Sequence, residues 1–264
     1  MKRMLVTVLA AAAVGLIGSL APASADTLTV GVYPNNPPWE VKQTDSSMEG
    51  FEVDLVKAIA DKLGDTVDFK DMGFQALFAA TSSQRIDMAI STISITPERL
   101  KGQDFTQPYF DSDLALITKE GAPLKSLDGM KGKTIGAIAA STGEAWVQAH
   151  MKQYGIADYK SYPSQQNLLL DVQSGRIDGA IGETSAFLFA FRQMKNMHVV
   201  ARIDKGERFA IMMPKGSPIL QKVDSAITEL KKEGYLAKLH QKWLGAPAPK
   251  GSSTVEVRPL PEAS

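Results

Sequence analysis

The stretch "STISITPER" places the hydroxyls of Ser91, Thr92, Ser94 and Thr96 within eight residues of Arg99. Hydroxyls and backbone N–H groups beside a guanidinium make a carboxylate clamp, because the planar Arg fork fits two oxygens. A lone Arg is also the ordinary solvated surface charge, and the sequence leaves both readings open. Further on, "AASTGEAW" puts Ser141 and Thr142 where a strand gives way to a helix, whose first N–H groups suit an anion. Plain N-capping explains the same two residues. Glu183, in "IGET", either holds an ammonium group or supplies a helix-start charge. Tyr33, Trp39 and Phe74 are candidate apolar walls, or core aromatics. An anion clamp facing one carboxylate describes a zwitterion, and an α-amino acid is the simplest one.

Other chemistries find no support in the residue pattern. His150, His198 and His240 are scattered and match no metal-ligand spacing. There is no G-x-S-x-G elbow, no P-loop and no G-x-G-x-x-G opening a helix. No cofactor and no metal are expected. The chain has no Cys, so disulfides and thiolate metal sites are impossible.

The clamp follows one copy of a repeat. "QRIDMAISTIS" (Gln84–Ser94) returns 91 residues later as "GRIDGAIGETS" (Gly175–Ser185), with six of eleven positions matched. Leu77 stands nine residues before Ile86, and Leu168 nine before Ile177, so the copies agree upstream too. Around each copy, strand and helix signals alternate. "LTVGV" and "TVDFK" read as strands around the helix "FEVDLVKAIADKLG"; "KTIGAI" reads as a strand before the helix "STGEAWVQAHMKQYG". "LALIT" reads as an extended connector between the halves. Each half is a βαβ-type unit, which implies an α/β protein with parallel-type sheets flanked by helices. Ligands of such sheets sit beyond the carboxyl ends of the strands, so two facing lobes would make a cleft.

Lys2 and Arg3, the apolar run Met4–Leu20 and "ASA" at 23–25 read as a signal peptide over residues 1–25. No Cys follows it, so a lipid-anchored form is not expected. Removing Lys2 and Arg3 turns 29 basic against 29 acidic residues into 27 against 29, a net charge of −2. That balance argues against a nucleic-acid or membrane footprint. Lobe 1 is expected over 26–110 and again over 206–245, with lobe 2 over 111–205 between them. The Pro/Ser-rich tail, 246–264, is expected to be disordered.

The chain resembles the periplasmic solute-binding proteins of ABC importers, in the family that binds polar amino acids. "GFEVDLVKAIA" (Gly50–Ala60), "DMAISTISITPER" (Asp87–Arg99) and "GYLAKLHQKWLG" (Gly234–Gly245) carry the resemblance, which covers residues 27–245 in order. It implies a two-lobed fold joined by a two-segment hinge, a monomer free in the periplasm, and a membrane permease as partner. It also implies that Arg99 binds the α-carboxylate, helped by Thr92, Ser94 and the backbone near Thr142. Asn36, Trp39 and Phe74 would line the first lobe's wall, and Glu183 would face the α-ammonium group. Two positions depart from the pattern. The family usually has Asp at position 183, and some members taking basic ligands carry an acid where this chain has Tyr33. Glu52 could still supply that charge. The same fold is similar to that of exported cyclohexadienyl dehydratases, in which Glu183 would be a general acid. A sensor role would need a separate receptor.

Overall fold

The computed structural model describes residues 25–262; the expected signal peptide lies, apart from Ala25, outside them. The chain opens with β1 (Thr27–Val32), three short strands β2 (Asn35–Asn36), β3 (Glu40–Lys42) and β4 (Met48–Glu49), and helix α1 (Phe51–Leu63). Then come β5 (Thr66–Asp71), α2 (Phe74–Ser82), β6 (Met88–Ala89), α3 (Pro97–Gly102) and β7 (Gln103–Phe105). The long β8 (Phe110–Lys119) leads to β9 (Thr134–Ile138), α4 (Thr142–Tyr154), β10 (Asp158–Tyr162) and α5 (Gln165–Ser174). After β11 (Gly179–Glu183) and α6 (Thr184–Ala190), β12 (Met197–Phe209) returns to β13 (Met212–Pro214), α7 (Leu220–Lys232) and α8 (Tyr235–Leu244).

Two five-stranded sheets result, in the orders β5-β1-β6-β13-β7 and β10-β9-β11-β8-β12. β1 lies parallel to β5 and β6, and β9 parallel to β10 and β11. Antiparallel strands complete each sheet beside these parallel ones. β13 runs antiparallel to β6 and β7, and β8 antiparallel to β11 and β12. The connector expected around "LALIT" is part of β8, a full sheet strand.

The β8–β12 ladder joins the lobes. Its Phe110↔Phe209 end packs in the first lobe's core, whereas Leu114 and Ile203 belong to a core of the second. The register shifts between Ile203 and Glu207, where the two strands cross. An irregularity bends a ladder without ending it, which suits a hinge.

The repeat has a structural cause. Asp87 Oδ2 accepts from the backbone N–H of Thr29 at 2.7 Å, and Asp178 Oδ2 accepts from that of Thr134 at 2.9 Å. Each Asp thus satisfies a donor on a parallel strand, β1 in one lobe and β9 in the other. A Cβ on Gly31 would lie 2.6 Å from Ile86 Cδ1 and 3.0 Å from Leu77 Cδ2. One on Gly136 would lie 2.7 Å from Ile177 Cδ1 and 2.6 Å from Leu168 Cδ1. The matched Ile and Leu therefore fill the space over an equivalent glycine in each lobe.

Helix α1 turns Phe51, Leu55, Val56 and Ile59 inward and stops at Gly64, which takes the left-handed conformation with φ 74°. It packs with α7 and α8 in the first lobe's core. The tail contradicts the expectation of disorder over its described part. Ser253 and Thr254 are buried, and Ser253 N–H and Oγ–H both donate to the Asp111 carboxylate. Lys231 Nζ reaches the carbonyl of Glu256 at 3.0 Å. Composition missed these contacts because they are single polar anchors rather than an apolar pattern.

Candidate functional site

The cleft between the lobes is lined by Tyr33, Asn36, Phe74, Thr92, Ser94 and Arg99 from one side. Ser141, Thr142 and Glu183 line it from the other. Its atom-free space, counting space continuous with solvent, is about 570 Å³. Nine of the ten sequence-derived candidates therefore meet in one place. Trp39 does not. Its ring is fully buried in the first lobe's core, with centroids 5.3, 4.7 and 5.9 Å from those of Phe51, Phe110 and Phe209. A large apolar ring two residues past Pro37 seats in the core, while the smaller Asn36 faces the cleft.

Arg99 sits in α3, a turn opened by Thr96, whose Oγ1 accepts from Arg99 N–H. Its guanidinium donates to the Ser94 carbonyl at 2.7 Å and, across the cleft, to the Ala140 carbonyl at 3.0 Å. The guanidinium carbon lies 4.8 Å from the centroid of the Phe78 ring. Burial pulls the Arg99 pKa down to about 10, against the raising influence of Glu207, so the group is still charged at neutral pH. Five donors and two carbonyl partners leave N–H groups for an anion.

In the second lobe the capping reading of the hydroxyl pair holds, and the same pair lines the cleft. Ser141 caps α4 by accepting from Glu144 N–H at 3.0 Å, and it also lines the cleft. A Cβ on Gly143 would come 2.7 Å from the Ile181 carbonyl oxygen, so only glycine lets this helix start lie on β11. First-turn N–H groups have no partner within their own helix, and here they border the cleft.

Glu183 likewise caps a helix. Oε1 accepts from the hydroxyls of Ser112 and Ser185 at 2.7 Å and from Ser185 N–H at 2.9 Å; Oε2 accepts from Ala186 N–H at 2.6 Å. Burial raises its pKa while these donors lower it.

Several lining residues escaped sequence reading: Leu114, Gln165, Phe187, Glu207 and Phe209. Glu207 and Phe209 arrive on β12, which no alternating pattern flagged. Glu207 Oε2 accepts from Ser94 Oγ–H at 3.2 Å, and Gln165 N–H donates to Tyr33 Oη at 3.2 Å across the cleft. Among the described residues no group of His, Asp and Glu gathers as a metal site, and no helix is long and apolar enough to cross a membrane.

The family profile described as bacterial extracellular solute-binding proteins, family 3, matches residues 28–246. The chain belongs to this family. It is 30% identical over 228 residues to the L-cystine-binding protein TcyJ of Escherichia coli, covering 83% of each chain. It is 30% identical over 236 residues to the arginine-binding periplasmic protein of Mannheimia haemolytica, covering 87% of this chain and 96% of that one. An ancestral arginine-binding protein bound to arginine superposes with a TM-score of 0.79 at 35% identity, over 83% of this chain and 98% of the other. The solved neighbour shares the fold, and the family match spans both lobes and the ladder between them.

Proposed function

We propose that this protein is the extracytoplasmic receptor of an amino-acid ABC importer, free in the periplasm after cleavage near Ala25 and monomeric, handing its ligand to a membrane permease. The observation that carries the reading is the meeting of Arg99 and Glu183 in one interlobe cleft. Arg99, Thr92, Ser94 and the first turn of α4 would take the α-carboxylate, and Glu183 the α-ammonium group. Tyr33, Asn36 and Phe74 would form the first lobe's wall around the ligand side chain.

The cleft sets two carboxylates, Glu183 and Glu207, against one guanidinium. That balance favours neutral or basic amino acids over Asp and Glu, in keeping with relatives named for arginine and cystine. Contacts to both lobes exist only when the cleft is shut, so ligand would select the closed form. The dehydratase alternative is disfavoured by Glu183 itself, whose oxygens are both occupied as acceptors of hydrogen bonds.

A thermal-shift screen of the mature protein against all amino acids, opines and small cyclic acids tests the reading, because a ligand of the folded state raises its melting temperature. An amino acid should give the largest shift, and small-angle scattering should show compaction with it. A screen in which no amino acid shifts the transition would overturn the proposal.

A further inference from the structure

Three of the first lobe's cleft groups hang from one buried layer beneath them. Tyr33 N–H donates to Ser91 Oγ at 2.8 Å, and the Ser91 hydroxyl donates in turn to Glu40 Oε1. Asn36 Nδ2 donates to Thr92 Oγ1 at 3.2 Å and reaches Glu40 Oε2 at 3.4 Å. Thr92 N–H donates to Glu52 Oε1 at 2.8 Å, an oxygen that also accepts from the Tyr109 hydroxyl. Thr92 has φ 49°, and a β-branched residue holds that left-handed conformation only where its surroundings impose it. The Glu52 acceptor and the Asn36 donor impose it here.

Glu40 and Glu52 are both 0% exposed, and each carboxyl lies within hydrogen-bonding reach of the other. Glu52 Oε2 is buried and has no donor among the described groups. Ionised carboxylates only accept, so a bond between two of them requires a proton on one.

We propose that Glu40 and Glu52 share one proton and act as a positioning pair, holding Tyr33, Asn36 and Thr92 in their ligand-binding geometry. The role in ligand binding rests on the site proposed above. The titratable groups facing the pair are Tyr109, Tyr33 and, across the cleft, Glu183; none of them is a cation. Burial first, and the charge of Glu52 next, push the Glu40 pKa well up; burial also raises that of Glu52. Raising the pH therefore strips the shared proton, leaves two buried anions in contact and drives the layer apart.

Glu40→Gln keeps the shape, and its amide N–H replaces the shared proton. Infrared difference spectra of this variant against the unsubstituted protein, at about pH 7, should show loss of one protonated-carboxyl C=O band. The amino acid giving the largest thermal shift is then titrated calorimetrically across a series of rising pH, and the ratio of the two proteins' affinities cancels the ligand's own ionisation. The unsubstituted protein should weaken relative to Glu40→Gln by about threefold to tenfold at the alkaline end of that series. Glu52→Gln, which keeps an acceptor for Thr92 N–H, should behave alike and replaces Glu40→Gln if that variant misfolds. Without a protonated-carboxyl band to lose, the shared proton is wrong whether or not a ligand is known. A band that disappears with no pH-dependent change in the affinity ratio, or with tighter binding at high pH, refutes the positioning role. If Arg99→Ala leaves affinity intact, the cleft assignment fails instead, and the infrared result still decides the shared proton.

Discussion

Arg99 Nη2 donates to the carbonyl of Ala140 at 3.0 Å, so the guanidinium of the first lobe holds a loop of the second. Ala140 is itself in the left-handed region, with φ 62°, which turns that carbonyl toward the cleft just before α4. One side chain would thus serve both closure and the anion clamp proposed above. Arg99→Ala removes both contributions and leaves a desolvated ligand carboxylate without its partner. Loss of one member of a buried charged pair costs roughly 2–5 kcal/mol, about 30-fold to several-thousand-fold in affinity. Isothermal titration measures it, and binding equal to the unsubstituted protein would remove Arg99 from the site.

Glu183→Gln separates capping from ligand contact. The amide retains one acceptor oxygen where the carboxylate offers two, so part of the cap on α6 is lost. A lost cap costs about 1 kcal/mol, which a urea titration can read. If the carboxylate also holds an ammonium group, affinity for an amino acid should fall as well, by about tenfold. A stability change with affinity untouched would make Glu183 a cap alone. Full affinity with loss of prephenate or arogenate turnover would instead restore the dehydratase reading.

The two lobes were legible in the sequence because the residues that build them repeat. Asp87 and Asp178, Ile86 and Ile177, and Leu77 and Leu168 each do one job twice, and the spacing records it. Arg99, Ser141 and Glu183 were legible because strand ends in an α/β sheet are where polar residues collect around a ligand. Glu207 and Gln165 were not, since β12 and the start of α5 reach the cleft only through tertiary packing. Glu40 escaped for a related reason: as sequence it is a charge after a proline-rich turn, and its burial follows from α1 and the Ser91 loop closing over it. Trp39 shows the opposite failure. A wall residue and a core aromatic look alike until the neighbouring rings are known.

The equivalent glycines offer a test of the repeat through packing. Gly136→Ala would bring Cβ within 3.0 Å of Leu168 Cδ1, Ile177 Cδ1 and Tyr162 Cε2. Gly31→Ala meets only Ile86 Cδ1 closer than that, the flexible end of one side chain. Overpacking of this kind costs roughly 1–3 kcal/mol, and the greater loss should fall on Gly136→Ala. Ile177→Val, which removes a clashing methyl, should recover part of it. Denaturant midpoints for the three variants decide the matter; equal stability of both alanine variants would contradict the packing.

The folded tail makes the last prediction, through Lys231. This side chain is 5% exposed, and its ammonium group donates to Gln107 Oε1 at 2.8 Å, the Pro108 carbonyl at 2.7 Å and the tail's Glu256 carbonyl at 3.0 Å. Burial lowers its pKa to about 8, from 10.5 in the exposed chain. Between those values the unfolded state binds the extra proton, so this group's contribution to stability rises with pH and is lost again as pH falls through about 8. Removing residues 246–264 deletes the Glu256 partner, exposes the ammonium group to water and moves its pKa back toward the ordinary value. The truncated protein should therefore lose the alkaline rise, as Lys231→Met should by removing the titrating group. Truncation also strips Asp111 of the two donors from Ser253 at the lobe-1 end of β8. Urea unfolding between about pH 7 and about pH 9.5 reads the difference in slope directly. A tail that is disordered in solution would leave both the slope and the midpoint as they are in the full chain.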